Sequence, residues 1–111
     1  MKKILLLLTF VIGALYVSGQ KVYSVQYSYQ ADVKVYVVDY DYQADLLVYK
    51  VEYDYQAEGN SGMWFFTKYD YQAKKKVFFV DYDYQADLKI FFVQNSYQAG
   101  WKNKEKQHLL Y

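Results

Sequence analysis

Tyr40-Asp41-Tyr42-Gln43-Ala44-Asp45 organises the chain, because five near-copies surround it: Tyr27-Ser28-Tyr29-Gln30-Ala31-Asp32, Tyr53-Asp54-Tyr55-Gln56-Ala57-Glu58, Tyr69-Asp70-Tyr71-Gln72-Ala73-Lys74, Tyr82-Asp83-Tyr84-Gln85-Ala86-Asp87 and Asn95-Ser96-Tyr97-Gln98-Ala99-Gly100. The steps between them are 13, 13, 16, 13 and 13 residues. A period this short makes each copy one small unit that cannot bury an apolar face alone and must be covered by its fellows.

Around the best copy, Tyr36, Val38, Tyr40, Tyr42 and Ala44 alternate with Val35, Val37, Asp39, Asp41 and Gln43. A period of two predicts extended β-structure in every repeat, with the tyrosine side toward the core and the alanine leaving room for a passing backbone. Thirteen is odd, so an unbroken strand would turn equivalent side chains to opposite faces in successive repeats. One corner per repeat is therefore expected, just after the alanine, as at Asp45-Leu46-Leu47 or Asp87-Leu88-Lys89. The longer interval holds Glu58-Gly59-Asn60-Ser61-Gly62-Met63, a turn composition that predicts a surface loop. Stacking the copies in register would align Asp41, Asp54, Asp70 and Asp83 as like charges. Offset windings that pair these with Lys34, Lys50, Lys68 or Lys89 are expected instead.

Met1-Lys2-Lys3, the apolar run Ile4 to Val17 and the small Ser18 and Gly19 form the three-part pattern of a secretory signal peptide. Residues 1–19 are read as that signal and residues 20–111 as one domain, exported to the periplasm or beyond, with no membrane span once the signal is cleaved. Without Lys2 and Lys3, 11 Lys face 12 Asp and Glu, and the chain has no Arg. That balance argues against nucleic acid as a partner. Cysteine is absent, so neither a disulfide framework nor a lipid-anchored cysteine is available. A monomer is expected.

Sites are sparse. The single histidine, His108, sits in the polar run Trp101 to His108, which reads as a cap or tail. Asp39 with Asp41 and Asp81 with Asp83 stand two apart, but repetition of the acid in copy after copy speaks for repeat structure rather than a cation or catalytic site. Lys74-Lys75-Lys76 reads as a solvated corner. Met63 and Trp64 follow the one clear loop and are the candidate ligand contacts. No catalytic residue, metal or cofactor is assigned, and a non-enzymatic protein is expected. Assembly into a fibre through exposed strand edges is a further reading, opposed by the Lys and Asp in nearly every repeat.

The unit V-[YF]-x-V-[DE]-Y-D-Y-Q-A-D resembles the repeats of the septoil-knot family, short bacterial proteins whose function is uncharacterised. The resemblance covers residues 21 to 111 and implies an all-β fold of interwound short strands tied into a seven-crossing torus knot. Asn95, Lys74 and the stretch Gly59 to Gly62 depart from the family pattern. A chain threaded through its own windings is expected to unfold slowly, so the leading expectation is an exported structural domain of high kinetic stability. The alternative is a secreted carbohydrate- or protein-binding module that uses its tyrosines and Trp64.

Overall fold

A computed structural model describes residues 20–111; the expected signal segment, residues 1–19, lies outside the described residues. Seven short strands follow one another as β1 (Gln20–Ser24), β2 (Val33–Val37), β3 (Leu46–Lys50), β4 (Met63–Phe66), β5 (Lys75–Phe79), β6 (Leu88–Phe92) and β7 (Gly100–Trp101). A single turn of 3-10 helix stands between each strand and the next, and a longer 3-10 helix, Lys104–Leu110, ends the chain.

No strand pairs with the one that follows it, except β3 with β4. The order is β4-β1-β5-β2-β6-β3-β7, and the β3–β4 contact closes six parallel strands into a barrel. β6 lies along one edge of β3. The other edge is shared, with β7 antiparallel against Leu46 and Leu47 and β4 parallel against Tyr49 and Lys50. Counting β7 in its place, the ring reads β1-β5-β2-β6-β3-β7-β4, and each strand lies two places beyond its predecessor. The chain thus circles the barrel twice: β1 to β4 make the first winding, and β5 to β7 fill its gaps.

The connections show the interlock. The turn after β1 packs on β5, the turn after β2 on β6, the turn after β5 on β2 and the turn after β6 on β3. Each of these four connections therefore steps over a strand of the other winding, while the turn after β3 packs on β4 and the connection from β4 to β5 passes β1. Parallel strands ordinarily need a crossover of a dozen residues or more. Here the eight residues between Val37 and Leu46 suffice, because the connection clears one strand of a tightly curved barrel.

Strands β1, β2, β5 and β6 each divide their pairing between two neighbours. Val33, Lys34 and Val35 of β2 pair with the end of β5, and Val35, Tyr36 and Val37 with the start of β6. Half of each edge would be left bare, and the residues flanking the strand extend the ladder. Val25, Val38, Val80 and Val93 each donate a backbone N–H to a strand of the other winding, as in Val38 N to Ile90 O at 2.9 Å; Val51 and Thr67 do so toward Trp64 and Val22 of their own winding. At the other end the motif's terminal acid forms a two-bond latch. Asp32, Asp45 and Asp87 donate their N–H to the carbonyls of Lys76, Lys89 and Lys34, each at 2.8 Å, and their carboxylates accept the N–H of the same lysines at 2.8, 2.9 and 3.0 Å. The like charges that forbid in-register stacking are thus dispersed, but not by the expected Asp–Lys pairs. Among the described residues only Asp54 of the four turn aspartates makes an ion pair, to Lys21 at 3.7 Å. Lys50 lies instead over the Phe92 ring, 4.4 Å from its centroid.

The predicted corner and the predicted core face are both corrected by the structure. The bend is the motif itself: Asp41–Gln43 is a 3-10 turn, and Leu46 and Leu47, expected at the corner, open the strand Leu46–Lys50. Gln43 holds the bend by donating its N–H to Tyr40 O at 3.1 Å while its Oε1 accepts the Tyr40 N–H at 3.3 Å. The core comes from the opposite parity. Val22, Val33, Val35, Leu46, Val48, Trp64, Val77, Leu88 and Ile90 fill the barrel, while Tyr40 and Tyr42 lie outside. Of the expected inward set, Val38 and Ala44 are buried.

The C-terminal run is no free tail. Leu110 is fully buried in the core, and its carbonyl accepts Gln20 Nε2 at 2.7 Å. Asp45 gathers this segment. Its carbonyl takes the N–H of Lys102 and Asn103, Oδ1 takes Asn103 Nδ2 at 3.3 Å, and Oδ2 takes Lys106 Nζ at 3.3 Å. The loop after Ala57 folds inward at Gly62, which has φ +90° and sits where a Cβ would collide with the Leu47 carbonyl oxygen. Gly59, at φ +62°, faces open space.

Two outcomes are expected. Hydrogen bonds to a charged group contribute about 1.5–3 kcal/mol, so Asp45→Ala should lower unfolding free energy by about 2–4 kcal/mol and Asp32→Ala, which has the latch alone, by about half that, read from urea curves taken to equilibrium. Gly62→Ala combines strained backbone with overpacking and should cost about 2–5 kcal/mol, against about 1 kcal/mol for Gly59→Ala; equal shifts in melting temperature would contradict the assigned geometry.

Candidate binding surface

The turns decide what the surface displays. The first tyrosine of the triplet caps the 3-10 bend and the second sits at its centre, as Tyr40 and Tyr42 do, which throws both rings outward on the same side. Tyr27–Tyr29, Tyr40–Tyr42 and Tyr53–Tyr55 stack with centroids 5.7 Å apart, Tyr82–Tyr84 at 5.6 Å, and Tyr69–Tyr71 meets at 5.5 Å with a wider tilt of 33°. These ten rings are exposed, the second of each pair most, as with Tyr29 at 82%. Tyr97 has Asn95 in place of its partner and stands alone, 83% exposed. A phenol is suited to this position: the stacked faces shield each other, and the hydroxyls stay in water.

Sequence reasoning had the tyrosines in the core because their alternation is in phase with Val38 and Ala44. The signal for the alternative is Gln43, three residues after Tyr40, at the distance from which a side-chain amide can return to the backbone that opens a turn. Five of the six turns use this clasp. The fourth differs: Gln72 Oε1 takes the hydroxyl of Thr67 at 3.0 Å.

The candidate contacts at the loop separate. Trp64 is fully buried, packed edge-on against Phe66 with ring centroids 6.0 Å apart, and belongs to the barrel core. Met63 is half-buried beside it. The exposed aromatic surface belongs to the tyrosine pairs and not to Trp64. A cleft of about 450 Å³, mainly apolar, opens nearby between Lys50, Phe66, Thr67 and Tyr69.

His108 is exposed, with Nδ1 2.9 Å from the Glu105 carbonyl. Asp39, Asp41, Asp81 and Asp83 are exposed, and among the described residues no three acidic or histidine side chains converge as a metal cage would require. The lysine run is not a corner: Lys75 and Lys76 begin β5 and pair with Val22 and Tyr23. Among the described residues no helix is long and apolar enough to cross a membrane.

No curated protein and no solved structure matches the chain. A family model, the 7(1) septoil knot domain, matches residues 19–102. That span takes in all seven strands and stops before the 3-10 helix that seals the barrel. The doubly wound ring of seven positions has the winding of a seven-crossing torus, and the chain belongs to the septoil knot domain family.

Proposed function

We propose that this is an exported, non-enzymatic scaffold, monomeric, whose physical asset is slow unfolding and whose surface asset is the display of tyrosine pairs. Support for slow unfolding is the interlock: four of the six connections step over a strand of the other winding, so neither winding can peel away first. Support for export is the pattern of Met1 to Gly19. Outside the cytoplasm many small domains rely on disulfides; here threading takes that role in a chain without cysteine.

A second reading, a binding module, is favoured by the outward tyrosines, since solvent-facing aromatic rings in regular array are the means by which proteins hold flat apolar faces.

Unfolding rates measured in urea and extrapolated to water should give a half-time on the order of days, at the slow end for small domains, and apparent midpoints should fall as incubation lengthens. Unfolding complete in seconds and independent of incubation would remove the kinetic reading. For the second reading, a glycan array separates the outcomes: retention of an immobilised glycan supports a binding module, its loss on Tyr42→Ser with Tyr55→Ser assigns it to the displayed pairs, and no retention of any glycan opposes the module.

A further inference from the structure

We propose that three equivalent clefts between successive connections are subsites for one neutral polysaccharide chain; this rests on the binding-module reading and adds where and what it binds. One cleft, of about 330 Å³, is walled by Tyr36, Val38, Asp39 and Gln43 with Asp83 and Lys89 opposite. A second, of about 540 Å³, has Tyr23, Val25, Gln26 and Gln30 with Asp70 and Lys76 opposite. In the third, of about 550 Å³, the same repeat positions are Phe78, Val80, Asp81 and Gln85, with Ser28 and Lys34 opposite. They lie over consecutive strands of the ring, β1-β5-β2-β6, and neighbouring clefts share a turn: the turn at Asp83 gives its first residue to one and Gln85 to the next. Each is displaced from the last by one strand spacing and two residues along the strand, a step of about 8 Å from sheet dimensions.

The chemistry selects the ligand. Gln30, Gln43 and Gln85 have Oε1 committed to the Tyr27, Tyr40 and Tyr82 N–H groups, so each presents Nε2 as a fixed donor. Lys34, Lys76 and Lys89, with Asp70 and Asp83, make no ion pair among the described residues. Donors and acceptors of both charge signs stand around a valine floor and an aromatic wall. An anion meets the aspartates and a cation meets the lysines. A hydroxyl donates to one and accepts from the other, and a sugar ring sets its C–H face on the aromatic wall. The remaining seams lack the set: Leu47 replaces the lysine in one, and Lys21 is tied to Asp54 in another.

Affinity electrophoresis of the purified protein through gels holding a soluble β-glucan, a mannan, a dextran or, as an anionic control, alginate tests this. Retardation by at least one neutral polymer is expected, little changed by added salt. Its monosaccharide or disaccharide, too short to reach more than one cleft, should bind on the order of a hundredfold more weakly, through loss of multivalency. Asp83→Ala and Lys89→Ala, which leave the backbone bonds of the turn and latch intact, should each weaken binding about five- to tenfold, the loss of one or two polar contacts, with unchanged circular dichroism. No retardation by any neutral polymer, or retardation by alginate alone that salt abolishes, overturns the proposal. If Tyr42→Ser with Tyr55→Ser abolishes binding while Asp83→Ala and Lys89→Ala do not, the binding module stands and these clefts are not its site.

Discussion

Every ladder bond in the barrel depends on a rule that one strand shares its edges with strands far away in the chain. β1 pairs with residues 44 and 53 positions later, and apart from the short contact of β3 with β4 no repeat helps its successor. The period of 13, the corner in each repeat and the latch aspartates all serve this arrangement. Five residues are extended and eight step over the intervening strand, which leaves no slack for a longer strand or a helix. The alternation of windings then follows without further instruction, since the only vacant edge beside a first-winding strand is the gap that a second-winding strand will fill.

The repeat, its count and the all-β class were legible in the residues, and so was the need for one odd-numbered break per unit. The place of the break was not. Tyr40, Tyr42 and Ala44 have strand spacing, yet residues two apart across a 3-10 bend also project to one side, and the two patterns are indistinguishable without the Gln43 clasp. Val33 with Val35 and Leu46 with Val48 carry the true core parity. Their signal is weak because Tyr and Val were equally good strand residues on the competing face. Trp64 followed the same logic in reverse: its neighbourhood to a loop suggested contact, but its position on β4 aims it into the barrel.

The ends show how a screw-like repeat is finished. A seventh parallel strand would have to enter beside β4. Gly100 and Trp101 instead run antiparallel for two residues, and the chain turns under the barrel to set Leu110 against the core. Asp45 is the node because it is the latch nearest that exit, and it takes Asn103 and Lys106 in addition to the Lys89 N–H that its counterparts also hold. The loop at Gly62 makes room for this by pressing its bare backbone on Leu47.

The distance between paired residues also sets a schedule. A chain that emerges from its N-terminus has nothing for β1 to bond until Trp64 appears, and β2 waits for Val77. More than half of the sequence must be present before the first rung of β1 can form, and loop closure over such spans is slow. A protein built this way stays open while it is being made or drawn through a narrow passage, and becomes hard to open only when the last repeat has arrived.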